Sequence, residues 1–296
     1  METYGLSKEE YRRYIEDPDV TRKDISKKIT TPKSVYRFRK LGQVGNDGVW
    51  HESSHWEDDV NGICMFSIPS EFKNINDPND CKVSFNEEEI FYYMVSKVLK
   101  TEKKEIKGCF KDCLIKKLKK YKDTLQGTMR VGCFAAVADL SANGMWDDPN
   151  FGDRGRGICI EYDVNDDNFR PDELSFLPVL YDDNIYDNTR AMKAVIDFVN
   201  NPNDVDAKRR MVCLGWGHTM IKPAKFEKEH EWRLVIPIRR DGAHSDYFNV
   251  DRKCKRDMSS AIKAVHLGPR FAELEEAGKY REAIERNCEK WNIPLC

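Results

Sequence analysis

The apolar residues of this chain are gathered into short runs that alternate irregularly with charged, helix-like segments. Runs such as 129–135, 157–163 and 231–238 have the length of single buried strands. Between such runs lie amphipathic segments, for example 189–200, whose apolar residues recur at helical spacing. Because strands and helices are interleaved without strict alternation, the pattern favours an α+β fold with a mixed or antiparallel sheet.

The predicted organisation is a polar N-terminal extension, residues 1–30, followed by one α+β domain over residues 31–296. The extension is charged and predicted to be peripheral, with a capping box at Ser7–Glu10 that marks the start of a helix. A helical insertion is expected at about 87–126, as two helices over 87–104 and 109–125. The remaining predicted segments are strands at 35–38, 63–68, 177–182 and 261–267, a loop at 42–62, and helices at 205–214 and 273–291.

The second insertion helix has a lysine-rich surface, including Lys111, Lys116 and Lys120. Such a surface is typical either of a solvated helix face or of contact with phosphates or anionic lipid. The chain as a whole carries 49 Lys and Arg against 51 Asp and Glu, for a formal net charge of -2. This balance favours the solvated face and argues against a general nucleic-acid binder, but with its bases concentrated on this helix the chain still permits a nucleic-acid acceptor.

Targeting and cysteine patterns predict a cytoplasmic protein. The N-terminal residues alternate acids and bases without the apolar core of a signal peptide. No apolar run approaches the roughly 18 residues of a membrane helix, so no membrane partner is expected. The ten cysteines include no Cys-x-x-Cys pair, and several lie in apolar runs, which is typical of buried free thiols. We therefore expect no metal site.

Several short motifs follow one another in a recognisable order. They are Val-Tyr-Arg-Phe at 35–38, Met-Phe-Ser at 65–67 with Asn-Asp-Pro-Asn-Asp-Cys at 76–81, Gly-Cys-Phe at 132–134 with Met-Trp at 145–146 and the strand at 157–163, and Glu-His-Glu-Trp-Arg-Leu-Val at 229–235. The tail, from Val-His-Leu-Gly at 265–268 to Asn-Ile-Pro at 292–294, is similar as well. Over about residues 33–296 the chain resembles the bacterial domain of unknown function 2971 family.

Two positions depart from the pattern of that family. A serine often follows Cys-Phe and a Ser-His-Tyr-like run usually follows Met-Trp, whereas this chain has Ala135 and Asp147 there. Any chemistry that the family's serine and histidine carry would be missing from this chain.

The chain has a more distant resemblance to ADP-ribosyltransferases of the arginine–serine–glutamate kind. It rests on a strand with a central arginine, a second strand that carries a serine and a late strand that opens with Glu-x-Glu. The resemblance implies that NAD is bound by Arg37, Ser67 and Tyr36, with Arg37 on the phosphates and Ser67 beside the nicotinamide ribose. It implies that Glu231 acts on the bond that breaks and that Glu229 helps to select a macromolecular acceptor, protein or nucleic acid. A toxin, an effector or an anti-phage defence protein would suit such an activity.

The residue types fit those roles. An arginine fork is suited to a pyrophosphate, and a carboxylate stabilises the positive sugar of the transition state. On one strand, residues 229 and 231 would point to the same face, and Trp232 would point to the core behind it. We therefore expect Arg37, Ser67 and Glu231 to meet in one open cleft.

Three alternatives remain. The charged residues could form a purely structural network in which Arg37 pairs with Glu231, or the same cleft could belong to a non-catalytic nucleotide- or protein-binding module. A metal-dependent nuclease would instead use Asp77, Asp80, Glu161 and Asp163, although acids in Asn/Asp/Pro segments usually form Asx turns.

Overall fold

The computed structural model describes every residue except 1–3, 18, 21, 48, 54, 70–79, 100–115, 120–121, 124–125, 128, 141–143, 170–174, 185 and 238–253. The helices are α1 (Lys8–Glu16), α2 (Arg22–Ser26), α3 (His55–Val60), α4 (Glu87–Met94), α5 (Thr189–Asn200), α6 (Val205–Leu214) and α7 (Ala277–Trp291). The strands are β1 (Ser34–Arg39), β2 (Gly42–Val44), β3 (Trp50–Glu52), β4 (Ile63–Phe66), β5 (Met129–Ala135), β6 (Ile158–Asp163), β7 (Ser175–Pro178), β8 (Leu180–Tyr181), β9 (Ile221–Lys222), β10 (Glu231–Pro237), β11 (Cys254–Asp257) and β12 (Ile262–Leu267).

An antiparallel sheet organises the fold. Its six strands lie in the order β12–β6–β1–β5–β10–β7. Five of its strands match the predicted apolar runs closely, because an apolar run of four to seven residues suits a strand buried on at least one face. The predicted strand 177–182 is wrong, because it is divided between β7 of this sheet and β8, which pairs with β9. The α+β class predicted from the sequence is confirmed.

One face of this sheet carries the main apolar core. Trp232 and Phe134, paired across β10 and β5, pack there with Phe176 and Tyr162. The predicted core position of Trp232 is confirmed, and its side chain is fully buried.

The N-terminal residues belong to this core, so their predicted peripheral position is wrong. The predicted capping box is present at Ser7 and Glu10 and starts α1. One turn further on, Tyr11 and Ile15 are fully buried, and the Tyr11 hydroxyl donates to the Pro178 carbonyl at 2.6 Å. These apolar residues lie at helical spacing and form a narrow stripe, so one face of α1 packs into the core although most of its residues are charged.

The predicted loop at 42–62 is also corrected. It contains the hairpin of β2 and β3 and the helix α3. Trp56 and Val60, four residues apart on α3, are both buried, and the Trp56 ring meets Tyr280 of α7 edge-on at 5.6 Å. The surrounding Gly, Asn and Asp residues obscured this short pair in the sequence.

Within the predicted insertion, α4 continues as one π-helical turn, Val95–Leu99. Ile90 and Met94 form a second apolar cluster with Met192 and Ile196 of α5. Most of the predicted helix 109–125, including Lys111 and Lys120 of its basic surface, lies outside the described residues. Among the helices that the structure describes, none is long and apolar enough to cross a membrane.

The last residues of the sequence run beside β12. The Val265 N–H donates to the Pro294 carbonyl at 3.0 Å, the Cys296 N–H to the Val265 carbonyl at 2.9 Å, and the Leu267 N–H to the Cys296 carbonyl at 2.9 Å. Residues 293–296 therefore bond to the outer edge of the sheet.

Candidate functional site

The two glutamates of the Glu-x-Glu motif meet at one lysine on the face of the sheet opposite the main core. The Lys222 ammonium lies 2.7 Å from Glu229 Oε2 and 3.2 Å from Glu231 Oε2. Lys222 is placed by the pairing of β9 with β8, which sets it beside Tyr181, whose hydroxyl accepts the Glu231 N–H at 2.7 Å. All three charged side chains are buried.

The backbone that brings the glutamates together differs from the predicted strand. β10 begins only at Glu231, and Glu229 is the last residue of the 3-10 turn Ala224–Glu229. Between them, His230 adopts a left-handed conformation with φ 44°. The two carboxylates do converge as predicted, but they do so through this bend and not through strand alternation.

Arg233 and Asp80 complete the network. Arg233 has no exposed side-chain surface; its Nε lies 2.7 Å from Glu231 Oε1 and its terminal nitrogen lies 2.8 Å from Asp80 Oδ1. Another Arg233 nitrogen donates to the Thr219 carbonyl at 2.7 Å. Three carboxylates thus share two cations, which leaves one excess negative charge when all five groups are ionised.

The environment separates the ionisation of the two glutamates. Burial opposes the charge of Glu231, but Arg233 and Lys222 together hold its pKa well below the ordinary value. Burial raises the pKa of Glu229, and Lys222 offsets that effect only in part. Glu231 is therefore held as a carboxylate, whereas Glu229 binds a proton more readily than an ordinary glutamate. Acid–base pairs in active sites are commonly built in this way.

Tyr36 shares the face of Glu231. Tyr36 pairs with Ala135 and Ala135 pairs with Glu231, so the three residues form one row across β1, β5 and β10. Two strand spacings separate Tyr36 from Glu231, which is about 10 Å between their backbones.

A half-buried polar cluster adjoins Tyr36 on this face. Glu161 accepts from Ser34 at 2.7 Å and lies 3.0 Å from both Lys263 and His266. Burial opposes the ionisation of Glu161, but the hydrogen bonds from these groups lower its pKa. Burial and the charge of Glu161 raise the pKa of Tyr36, so its phenol stays protonated and able to donate.

Ser67 lies on the same face but further along the sheet. Its backbone pairs with Val131, four residues before Ala135 in β5. At about 3.4 Å per residue, this places Ser67 about 14 Å along the strand from the row of Tyr36 and Glu231.

Arg37 lies behind the sheet, so the expected cleft shared by Arg37, Ser67 and Glu231 is not formed. Because neighbouring residues of a strand point to opposite faces, Arg37 projects away from the side of Tyr36. Its guanidinium lies 3.6 Å from Asp59, donates to the Met65 carbonyl at 2.9 Å and lies over the Phe134 ring at 5.8 Å. Burial opposes its charge, but Asp59 raises its pKa. Arg37 is 9% exposed and forms a buried ion pair with a residue of α3.

The residues expected for a metal-dependent nuclease do not converge where they are described. Asp77 lies outside the described residues. Asp80 is bound to Arg233 on β10, whereas Glu161 and Asp163 are on β6, three strands away. Among the described residues, no group of three or more His, Cys, Asp or Glu side chains is placed to hold a metal ion.

Lys222 is the site residue that the sequence did not single out. A signal was present, because a lysine between Met220-Ile221 and Pro223 interrupts an apolar segment. A charge inside such a segment indicates either an exposed turn or a buried ion pair. Only the pairing of β8 with β9 distinguishes these two cases.

Comparison with known proteins supports the family predicted from the motifs. A family model described as a protein of unknown function (DUF2971) matches residues 145–234. No curated protein and no solved structure matches the chain. The matched range contains the Met-Trp pair at 145–146, the strand β6 and all but the last residue of the motif at 229–235. The resemblance to ADP-ribosyltransferases stays a prediction. Residues 145–234, about a third of the chain, are thus similar to the DUF2971 family of proteins of unknown function.

Proposed function

We propose that this protein is ADP-ribosyltransferase-like: it binds NAD on the face of Glu231 and Tyr36 and transfers ADP-ribose to a macromolecular acceptor. The observation that carries the proposal is the pair Glu229 and Glu231, which share one lysine and whose pKa values are displaced in opposite directions. Such a pair supplies a permanent negative charge and a proton acceptor at one position.

The chemistry divides between the two carboxylates. When the bond from the ribose to nicotinamide breaks, its electron pair leaves with nicotinamide and positive charge develops on the sugar. Glu231, fixed by Arg233, faces that charge and stabilises it. An acceptor oxygen or nitrogen then bonds to the same sugar carbon and gives its proton to Glu229, whose raised pKa suits a base.

The rest of the dinucleotide would extend along the row toward Tyr36. Ala135 separates Tyr36 from Glu231 in this row and is buried in an apolar cluster with Met145 and Trp146, so NAD binding along the row requires those two side chains to move. The protonated Tyr36 phenol is a hydrogen-bond donor for ribose or phosphate oxygens. Arg37 has no part in this arrangement, because it lies behind the sheet, and Ser67 is too far along the strand to touch the bond that breaks.

The test is incubation of the protein with a cell extract and NAD labelled in its adenylate phosphate. The wild-type protein should move label to protein or nucleic acid, and Glu231→Gln should lower that transfer at least about 100-fold, as loss of an electrostatic catalytic group does. Glu273→Gln, which changes an exposed glutamate paired with Arg270, is the matched control and should transfer normally.

Because Glu231→Gln removes a buried charge, its melting temperature must be measured beside its activity. Glu229→Gln, which removes the acid with the raised pKa, should fold and lose transfer as well. Full transfer by a folded Glu231→Gln protein would contradict the proposal.

A non-catalytic nucleotide- or protein-binding module is the second candidate. It is favoured by the completeness of the network, since each of its five charged groups already has an oppositely charged partner. Calorimetry with NAD and ADP-ribose separates the two functions. Binding by the wild-type protein without any label transfer would support the module.

A further inference from the structure

A small cavity of about 40 Å³ lies against the lysine of the candidate site. His218, Lys222, Tyr186 and Ile221 line it. Its lining is completed by Lys82, Asp182, Asp183 and Pro223. About 10–15 Å³ is enough for one water molecule, so the cavity has room for a few.

His218 is the unusual residue of this cavity. It is 2% exposed and lies in a single 3-10 turn, Gly217–Thr219, soon after α6. Neither of its ring nitrogens has a hydrogen-bond partner among the residues that the structure describes. Burial lowers the pKa of His218 to about 3; the nearby Gly215 backbone offsets this effect in part, although its contact with the ring falls short of hydrogen-bond geometry.

The ring is therefore neutral at physiological pH, with one N–H donor and one acceptor nitrogen. Buried polar atoms that lack a protein partner are generally satisfied by ordered water. Water suits either nitrogen of this ring, because it can accept from the N–H or donate to the bare nitrogen, whereas a metal ion could bind only the bare nitrogen and an anion could accept only from the N–H.

We infer that His218 holds a bound water molecule that also accepts a hydrogen bond from the Lys222 ammonium. Lys222 has three N–H donors, and Glu229 and Glu231 accept from two of them. A water on the cavity side would accept from the third and fix the ammonium between the two carboxylates. His218 is thereby a positioning residue for Glu229 and Glu231. This positioning role rests on the proposed function, whereas the water site does not depend on it.

The water site is tested by a crystal structure of the full chain at a resolution that shows ordered water. We expect a water within 3.2 Å of a His218 ring nitrogen and of Lys222 Nζ. His218→Phe, which fills the cavity with carbon, should remove it, and His218→Gln, which still donates and accepts, should retain it. An empty cavity in the wild-type structure would overturn the inference whatever the activity.

The positioning role is tested by kinetics on the same variants. His218→Phe should lower kcat for ADP-ribose transfer about tenfold and leave KM for NAD unchanged, and His218→Gln should restore kcat. Equal kcat in wild-type and His218→Phe proteins would overturn the positioning role and leave the water site standing. Absence of transfer by the wild-type protein would count against the proposed function alone.

Discussion

Arg37 and Arg233 are both buried arginines on strands that flank β5, yet they serve opposite faces of the sheet. Arg233 holds Glu231 and Asp80 on the face of the candidate site, whereas Arg37 holds Asp59 against the main core. Both residues are arginines, so the difference comes from the register of each strand, which sets the face of the sheet to which the side chain points and therefore its partners. The burial of Arg37 predicts a structural role that stability measurements can detect.

Arg37→Met should reduce the free energy of unfolding by about 3 kcal/mol, because it leaves the buried Asp59 with fewer partners. Arg39, which also contacts Asp59, limits the loss. Urea unfolding measures the change, with the exposed Arg270→Met as a control that should stay within about 0.5 kcal/mol. A variant that kept its stability but lost NAD affinity would restore Arg37 as a phosphate ligand.

His218 should make the protein less stable in mild acid. The pKa of His218 is about 3 in the folded protein, against an ordinary histidine pKa of 6.5. Below pH 6.5, His218 is therefore protonated in the unfolded chain but stays neutral in the folded protein. The free energy of unfolding should therefore fall as the pH drops from about 6.5 toward 3, by up to about 1.4 kcal/mol per pH unit. In His218→Gln this contribution should disappear, while in the exposed His51→Gln it should persist. Parallel pH profiles of the free energy of unfolding for the wild-type and His218→Gln proteins would refute this prediction.

The junction between the turn Ala224–Glu229 and β10 places both acids of the site. Its single left-handed residue, His230, reverses the chain locally so that Glu229 and Glu231 approach the same ammonium. The left-handed region is open to glycine and tolerated by asparagine, but it is strained for a β-branched side chain.

His230→Gly and His230→Asn should consequently keep both stability and the position of Glu229. His230→Val should lower the free energy of unfolding by about 1–2 kcal/mol or more, since it cannot adopt this conformation without strain. Thermal unfolding of the three variants gives the comparison. Equal stability of the valine and glycine variants would show that the bend does not need a left-handed residue.

Elements with a strong periodic signal could be predicted from the sequence, and their mutual arrangement could not. β5, α5 and α6 have the predicted bounds, because their apolar spacing is regular over seven or more residues. Alternation along β1 predicts that Tyr36 and Arg37 point apart, but only the pairing of β1 with β5 decides which of them faces Glu231. The same limit hid Lys222, whose partners come from β10 and from the residues before it.

The molecule as a whole depends on segments that look dispensable in the sequence. The charged N-terminal residues contribute Tyr11, Ile15 and Ile25 to the core, all fully buried. Each such side chain contributes about 1.5–3 kcal/mol on burial, which together approaches the 5–15 kcal/mol that keeps a typical domain folded.

Deletion of residues 1–30 should therefore abolish cooperative folding and give an insoluble or unfolded product, whatever the role of the face that carries Glu231. Tyr11→Phe is the matched control: it keeps the packing and loses only the hydrogen bond to the Pro178 carbonyl, at a cost of about 1 kcal/mol. Circular dichroism and calorimetry of the two proteins supply the measurement. A deletion variant with the full melting temperature would contradict this account of the core.

The segment 293–296 beside β12 has a consequence for molecules at high concentration. A bare outer strand offers its unpaired amides as a template on which a second chain can add its own strand. Here the chain supplies that neighbour itself, through Pro294 and Cys296. Removal of residues 293–296 should therefore expose the outer edge of β12 and cause association between molecules, visible as light scattering that increases with concentration and that the unaltered chain does not show.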